Sequence, residues 1–139
     1  MPTVTALEPI TRELQLIEGT MVRGLRQRLP ERLTETFYAD HARLLVPGRK
    51  PVEGPAAIVQ FWHSMYSAGL IDVRLESQRI DAEHELAYGA GTFMATFETQ
   101  PGILRSDQGY YLTVYRRQAD GNWRALEQSL SLGASISVP

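Results

Sequence analysis

Apolar residues recur at Ile10, Leu14, Ile17, Met21, Leu25 and Leu29, three or four positions apart. That spacing lays one buried stripe along a helix and predicts a first helix from about Pro9 to Leu29. Pro30 stands where a first helical turn tolerates proline, and Leu33, Phe37 and Tyr38 continue the period. A short second helix is therefore expected, ending near Ala39 to His41. Arg43 to Val46 reads as a strand entering a turn at Pro47 and Gly48, with Pro51 to Glu53 as the return. A third helix opens on Gly54 and Pro55 and is stopped by Gly69, spanning about 55 to 68. Ile58, Phe61, Trp62, Met65 and Tyr66 form its apolar face.

From residue 70 the period changes to two, with Ile71, Val73 and Leu75 alternating against Asp72, Arg74 and Glu76. Four strands are predicted at about 70 to 80, 86 to 99, 108 to 118 and 122 to 132. The turns between them fall at Asp81 to Glu85, Gln100 to Gly102 and Ala119 to Asn122, the last a strong hairpin signal. Helices first and an antiparallel meander after them predict an α+β domain with its helices on one face of the sheet. Gly89 and Gly91 interrupt the second long strand, where missing side chains suit a sharp bend of the sheet or a close-packed helix; the bend is the preferred reading. Alternation places Tyr88, Ala90, Thr92, Met94, Thr96 and Glu98 on one face of this strand, assigned to the concave side.

Composition narrows the field. At 139 residues, 43% of them hydrophobic and 22% charged, the chain suits a single globular domain over residues 1–139. It contains no cysteine, which excludes disulfides, thiolate nucleophiles and cysteine-held metals, and no cofactor is expected. The formal charge is −2 and no run of like charges forms a stripe, so nucleic acid is not an expected partner. No apolar stretch approaches the roughly 20 residues of a membrane span, and the first residues lack a signal-peptide pattern, so a cytoplasmic protein without a membrane partner is expected. Arg12, Arg23, Arg26, Arg28, Arg32 and Arg43 are interspersed with Glu8, Glu13, Glu18, Glu31 and Glu35. They read as solvated helix faces laced with i,i+4 pairs.

Phe37 to Ala42, Pro47-Gly48, Val52 to Ile58 and Phe61-Trp62 resemble the nuclear transport factor 2-like superfamily. Gly91-Thr92-Phe93, Asp107 to Arg117 and Asp120 to Arg124 likewise resemble its SnoaL-like and ketosteroid-isomerase-like branches, so the likeness spans nearly the whole chain. The resemblance implies a cone of three N-terminal helices packed on a strongly curved, mainly antiparallel sheet, enclosing a pocket open at one end and commonly forming a homodimer. It implies no single activity. The ketosteroid isomerase machinery is not carried over: its base falls on Val46, its oxyanion-binding Tyr near Val22 and its oxyanion-binding Asp near Thr113. Of its supporting tyrosines Tyr38 is retained, while the other is Trp62.

Candidate chemistry follows from these placements. His41, His63 and His84 have no second ligand at helical spacing, so no metal site is expected. Trp62 and Tyr66, four apart on the third helix, present aromatic faces with polar tips to one space. Matching the sheet residues to the concave face gives a pocket lined by Val46, Trp62, Tyr88, Thr113 and Leu130 as ligand-binding residues. Tyr38, Tyr66 and Gln128 are the candidate catalytic hydrogen-bonding groups. Glu98 and Glu127, the acids nearest this region, are expected to be exposed. The expected function is a cofactor-free cyclase, isomerase or dehydratase acting on a small, apolar, oxygenated molecule. The alternative is a ligand-binding or dimerisation module, its homodimer formed through the outer sheet face.

Overall fold

The computed structural model describes residues 2–131, with side chains from residue 9 onward. The first helix, α1, is Pro2–Arg26; Pro9 lies inside it rather than at its start. It ends earlier than the apolar stripe suggests. The backbone of Arg28 turns left-handed at φ 60°, while Leu29 N–H bonds Gly24 O at 2.9 Å and Arg28 N–H bonds Leu25 O at 3.2 Å. This is the paired closure that ends helices, with an arginine where glycine is usual, so Leu29 belongs to the exit rather than the helix. A 3-10 turn at Pro30–Arg32 leads into α2, the single turn Leu33–Thr36.

The predicted second helix is shorter than expected because Tyr38 opens a strand. Strand β1, Tyr38–Leu45, pairs in parallel with the last strand, and Ala125 N–H donates to Phe37 O at 2.8 Å. Backbone pairing across the sheet outweighs the helical period of Phe37 and Tyr38. Strand β2, Val52–Glu53, is the return, and α3 is Pro55–Ser67, with Gly69 at φ 107° beyond its end. Ile58, Phe61, Trp62 and Tyr66 are buried on α3, each contributing about 1.5–3 kcal/mol of apolar burial.

Strands β3 (Leu70–Glu83), β4 (Leu86–Gln100), β5 (Ile103–Arg117) and β6 (Trp123–Leu130) form the meander. Among the described residues one sheet has the order β2-β1-β6-β5-β4-β3, antiparallel throughout except for β1 beside β6. The expected meander and early hairpin are thus one mixed sheet. The β4–β5 hairpin also runs further than predicted, because Ile103 to Asp107 continue pairing with Gln100 to Ala95.

Helix α1 lies across β3, and α3 packs on β1, β2 and β3. The core between them centres on Phe37, whose ring stands edge-on to Tyr38 at 4.8 Å and to Tyr115 at 6.0 Å. Both explanations offered for the paired glycines hold, one at each. A Cβ on Gly91 would collide with the Glu76 carbonyl, where β3 carries an irregularity between Ser77 and Arg79, so this position serves the bend. Gly89 serves the helix, as described next.

Candidate functional site

Leu14, Met21 and Leu25 are buried on α1 and Ile10 and Ile17 partly so, as the stripe requires. Glu18 sits among them, one turn from Leu14 and three residues from Met21, and is only 5% exposed. It faces β4 and β5. A Cβ on Gly89 would stand 2.7 Å from Glu18 Oε2, so the glycine is what admits the carboxyl to the sheet surface. Tyr111 on β5 donates its O–H to Glu18 Oε2 at 2.7 Å. Gly91, Tyr111 and Leu130 face one another in register, as do Gly89, Thr113 and Gln128, which places these side chains on the inner face.

Burial raises the pKa of Glu18 above its ordinary 4.5, and the Tyr111 hydrogen bond offsets part of that rise. The same burial, with the adjacent Glu18 charge, drives Tyr111 and Tyr115 far above the ordinary phenol value. Both phenols therefore stay protonated at neutral pH. Tyr115 Oη is buried without a hydrogen-bond partner, and its ring edge borders the space at Gly89 that Glu18 Oε2 occupies. The result is a buried carboxyl flanked by two neutral phenols.

Glu18 is also among the residues that line a cleft of about 590 Å³ between α1 and β3. Gly19, Val22 and Arg23 line it from the helix, and Arg74, Leu75 and Ser77 from the strand. Gln15 Nε2 donates to Ser77 Oγ at 3.3 Å at one end, and Arg26 Nε donates to Asp72 Oδ1 at 2.7 Å at the other. These two bridges frame a window with Glu18 at its floor. Polar and apolar groups line it about equally, a more polar wall than the Val46, Trp62 and Leu130 lining expected from the sequence.

Most residues singled out from the sequence lie elsewhere. Tyr38, Gln128 and Thr113 come together, but inside the core. Tyr38 O–H donates to Gln128 Oε1 at 2.5 Å, and Gln128 Nε2 donates to Thr113 Oγ1 at 3.3 Å and to Met21 Sδ at 3.2 Å. Tyr38, Gln128 and Thr113 are each 1% exposed or less, and burial holds the Tyr38 phenol well above its ordinary pKa. Tyr66 donates its O–H to Leu25 O at 2.6 Å, satisfying a carbonyl at the end of α1, and burial pushes its pKa up to about 12. Trp62 is fully buried, with Nε1 lacking a hydrogen-bond partner.

Tyr88 corrects the assigned face. It pairs with Val114 on the outer side of the sheet, whereas Ala87, Gly89, Gly91, Phe93 and Ala95 face inward. Both faces of β4 carry apolar residues, so alternation alone does not say which face is buried. Val46 and Leu130 border a shallow depression of about 300 Å³ with Arg49 and Ser131, apart from Glu18. Glu127 lies against Arg43, with both oxygens 3.0 Å from Nε, and Glu98 accepts from Gly102 N–H at 3.0 Å. Among the described residues no three His, Asp or Glu side chains converge as a metal site, and no helix is long and apolar enough to cross a membrane.

Glu18 is the residue that sequence reasoning missed, having been counted with the solvated arginines and glutamates of α1. The signal was present. Glu18 occupies the stripe defined by Leu14, Met21 and Leu25 at spacings of four, three and four, and a charge there needs a hole in the facing layer, which the strand glycines supply.

No family model matches the chain, and no curated protein matches it in sequence. Solved structures do match. An NTF2-like protein with a cystatin-like fold from Novosphingobium aromaticivorans superposes with a TM-score of 0.77 at 18% identity, covering 94% of this chain and 86% of that one. A ketosteroid isomerase-like protein from Erwinia carotovora atroseptica gives 0.77 at 16% identity, covering 92% and 96%. A proposed dehydratase of the NTF2-like family from Streptomyces avermitilis gives 0.75 at 12%, covering 90% and 97%. At such identities the likeness is one of fold, and it agrees with the helices and mixed sheet described above: the chain has the nuclear transport factor 2-like fold.

Proposed function

We propose that the chain is a cofactor-independent enzyme that moves a proton through Glu18 on a small oxygenated substrate held in the α1–β3 cleft, with isomerisation or dehydration as its outcome. The observation that carries this reading is a buried carboxyl of raised pKa on a residue that lines the cleft. A carboxyl shifted toward neutrality can accept and return a proton within one turnover. As carboxylate, Glu18 takes a proton from a carbon beside a carbonyl, and the C–H electron pair enters the new C=C or enolate. The acid form then gives the proton back. Delivered to another carbon it completes an isomerisation; delivered to a β-hydroxyl it releases water as the C–O bond breaks, and the carboxylate is regenerated.

Tyr111 is a positioning residue, fixing the carboxyl through its 2.7 Å bond. Tyr38 and Gln128, already satisfied by each other, supply the rigid floor behind it. The isomerase-like and dehydratase names among the structural neighbours are consistent with this chemistry. The test is conversion of β-hydroxy ketones, followed by the ultraviolet absorbance of the enone formed, in wild type and Glu18→Gln. Loss of turnover in the variant with its fold retained is expected; equal turnover, or none by the wild type, overturns the reading.

A second observation favours a homodimer. The outer face of the sheet exposes Tyr110 and Leu112 side by side, opposite Thr92 and Ala90, with Tyr110 at 70% exposure, an apolar surface that a second copy would cover. We propose this face as the dimer contact, which would serve a binding module equally well. Sedimentation at twice the 15.6 kDa chain mass, reduced to one by Leu112→Lys, is expected. A monomer at micromolar concentration removes the proposal.

A further inference from the structure

The cleft carries a charge pattern that proton transfer by itself does not require. Its walls hold three arginines, Arg23 and Arg26 from α1 and Arg74 from β3, and one acid, Glu18. Arg26 is bound to Asp72 at 2.7 Å, and Arg74 lies 3.6 Å from the other oxygen of the same carboxylate. One acid therefore serves two guanidiniums. Arg23 has no ion pair or hydrogen bond among the described residues. Its guanidinium folds back over Gly19, where an added Cβ would come within 3.3 Å of it.

Position reinforces charge. Arg23 lies between the bridges Gln15 to Ser77 and Arg26 to Asp72, inside the window they frame. It follows Glu18 by five residues, about 7.5 Å along the helix axis. A ligand group bound at Arg23 is thus set apart from the Glu18 carboxyl, while both still face one cleft. With Glu18 protonated, three guanidiniums there face a single carboxylate, that of Asp72.

From the unpaired Arg23 set between the two bridges, we infer that the cleft takes an organic anion whose carboxylate or phosphate is gripped by Arg23. Arg26 and Arg74 supply flanking positive charge. A guanidinium fork matches either oxyanion with two parallel hydrogen bonds. The uncharged, oxygenated end of the same molecule then lies toward Glu18. This last clause rests on the function proposed for Glu18; the anion grip stands on the arginines alone.

Calorimetric titration at low salt with benzoate, phenyl phosphate and benzamide tests it, the three sharing one ring and differing in charge. Both anions are expected to bind, benzamide about tenfold more weakly or not at all, with anion affinity falling as salt is added. Arg23→Gln should weaken the anions about tenfold and leave benzamide unchanged. Because Arg23 is exposed and unpaired, this variant keeps the wild-type melting temperature. Glu18→Gln should bind the anions at least as well as wild type. Benzamide binding as tightly as the anions, neither anion binding, or Arg23→Gln binding like wild type each overturns the proposal. Retained enone formation in Glu18→Gln together with anion loss in Arg23→Gln would sink the proton-transfer reading and leave the anion site standing.

Discussion

Replacing Glu18 with glutamine should stabilise the protein at neutral pH and leave its stability unchanged in acid. Glutamine has the same outline, and its Oε1 can accept the Tyr111 O–H as the carboxyl does, so the substitution removes ionisation and little else. At pH values well below 4.5 both the folded and the unfolded chain hold the Glu18 proton, and wild type suffers no penalty. As the pH rises past 4.5 the unfolded chain releases that proton first, because burial raises the folded pKa above this ordinary value. The unfolded state then binds fewer protons than the native one, and stability falls with pH until the native carboxyl also ionises. Beyond that point the loss is constant. Each unit by which burial separates the two values costs about 1.4 kcal/mol, out of a net stability of about 5–15 kcal/mol.

Urea unfolding of both proteins between about pH 3 and about pH 8 reads this directly, since every other titrating group cancels in the difference. The two curves should coincide in acid and diverge upward in favour of the variant. A constant difference would mean that folding leaves the Glu18 pKa unshifted, and wild type gaining on the variant as pH rises would mean that the fold stabilises the carboxylate; either refutes the penalty. Glu18→Leu sharpens the comparison. It leaves the Tyr111 hydroxyl without an acceptor beside the already unpaired Tyr115 hydroxyl, at a cost of about 1–3 kcal/mol at every pH.

Gly89→Ala should act on the same group from the opposite side. Its methyl would stand 2.7 Å from Glu18 Oε2, so the carboxyl must swing into the cleft and break the Tyr111 bond. The expected loss is about 1–3 kcal/mol, accompanied by disappearance of the pH dependence just described; wild-type stability in this variant would contradict the packing. Arg28 tests the end of α1. Arg28→Ala and Arg28→Gly both remove its stacking over the Tyr66 ring at 4.5 Å, but only alanine keeps the cost of φ 60°. Glycine should therefore be the more stable by about 1 kcal/mol in urea unfolding, and equal midpoints would refute the left-handed closure.

Much of the architecture was legible because each element announces its own period. The stripe from Ile10 to Leu25, the Gly54-Pro55 opening of α3 and the alternation after residue 70 are local signals, and the elements stand where they point. Misreadings cluster where a partner distant in sequence decides. Phe37 and Tyr38 keep the helical period, yet Tyr38 opens β1 because β6, some ninety residues later, offers its backbone. The end of α1 retreats from Leu29 for a similar reason. Tyr66 donates to Leu25 O from α3, and Arg28 stacks on its ring.

The candidate site divides in the same way. Tyr38, Tyr66, Trp62, Thr113 and Gln128 are all buried, but side-chain type cannot say whether a buried residue borders open space or meets another side chain. Tyr38 meets Gln128, and Tyr66 meets a helix carbonyl. Glu18 shows the converse. Its spacing on the stripe and the glycines of β4 were each visible in the chain, but only the register of α1 against the sheet brings carboxyl, Gly89 and Tyr111 within bonding distance. Composition and local period say which residues are apolar, where the period changes and which positions lack side chains. The tertiary structure decided which face of β4 is inner and which acid is buried, because register and helix placement are set by long-range packing that no local pattern encodes.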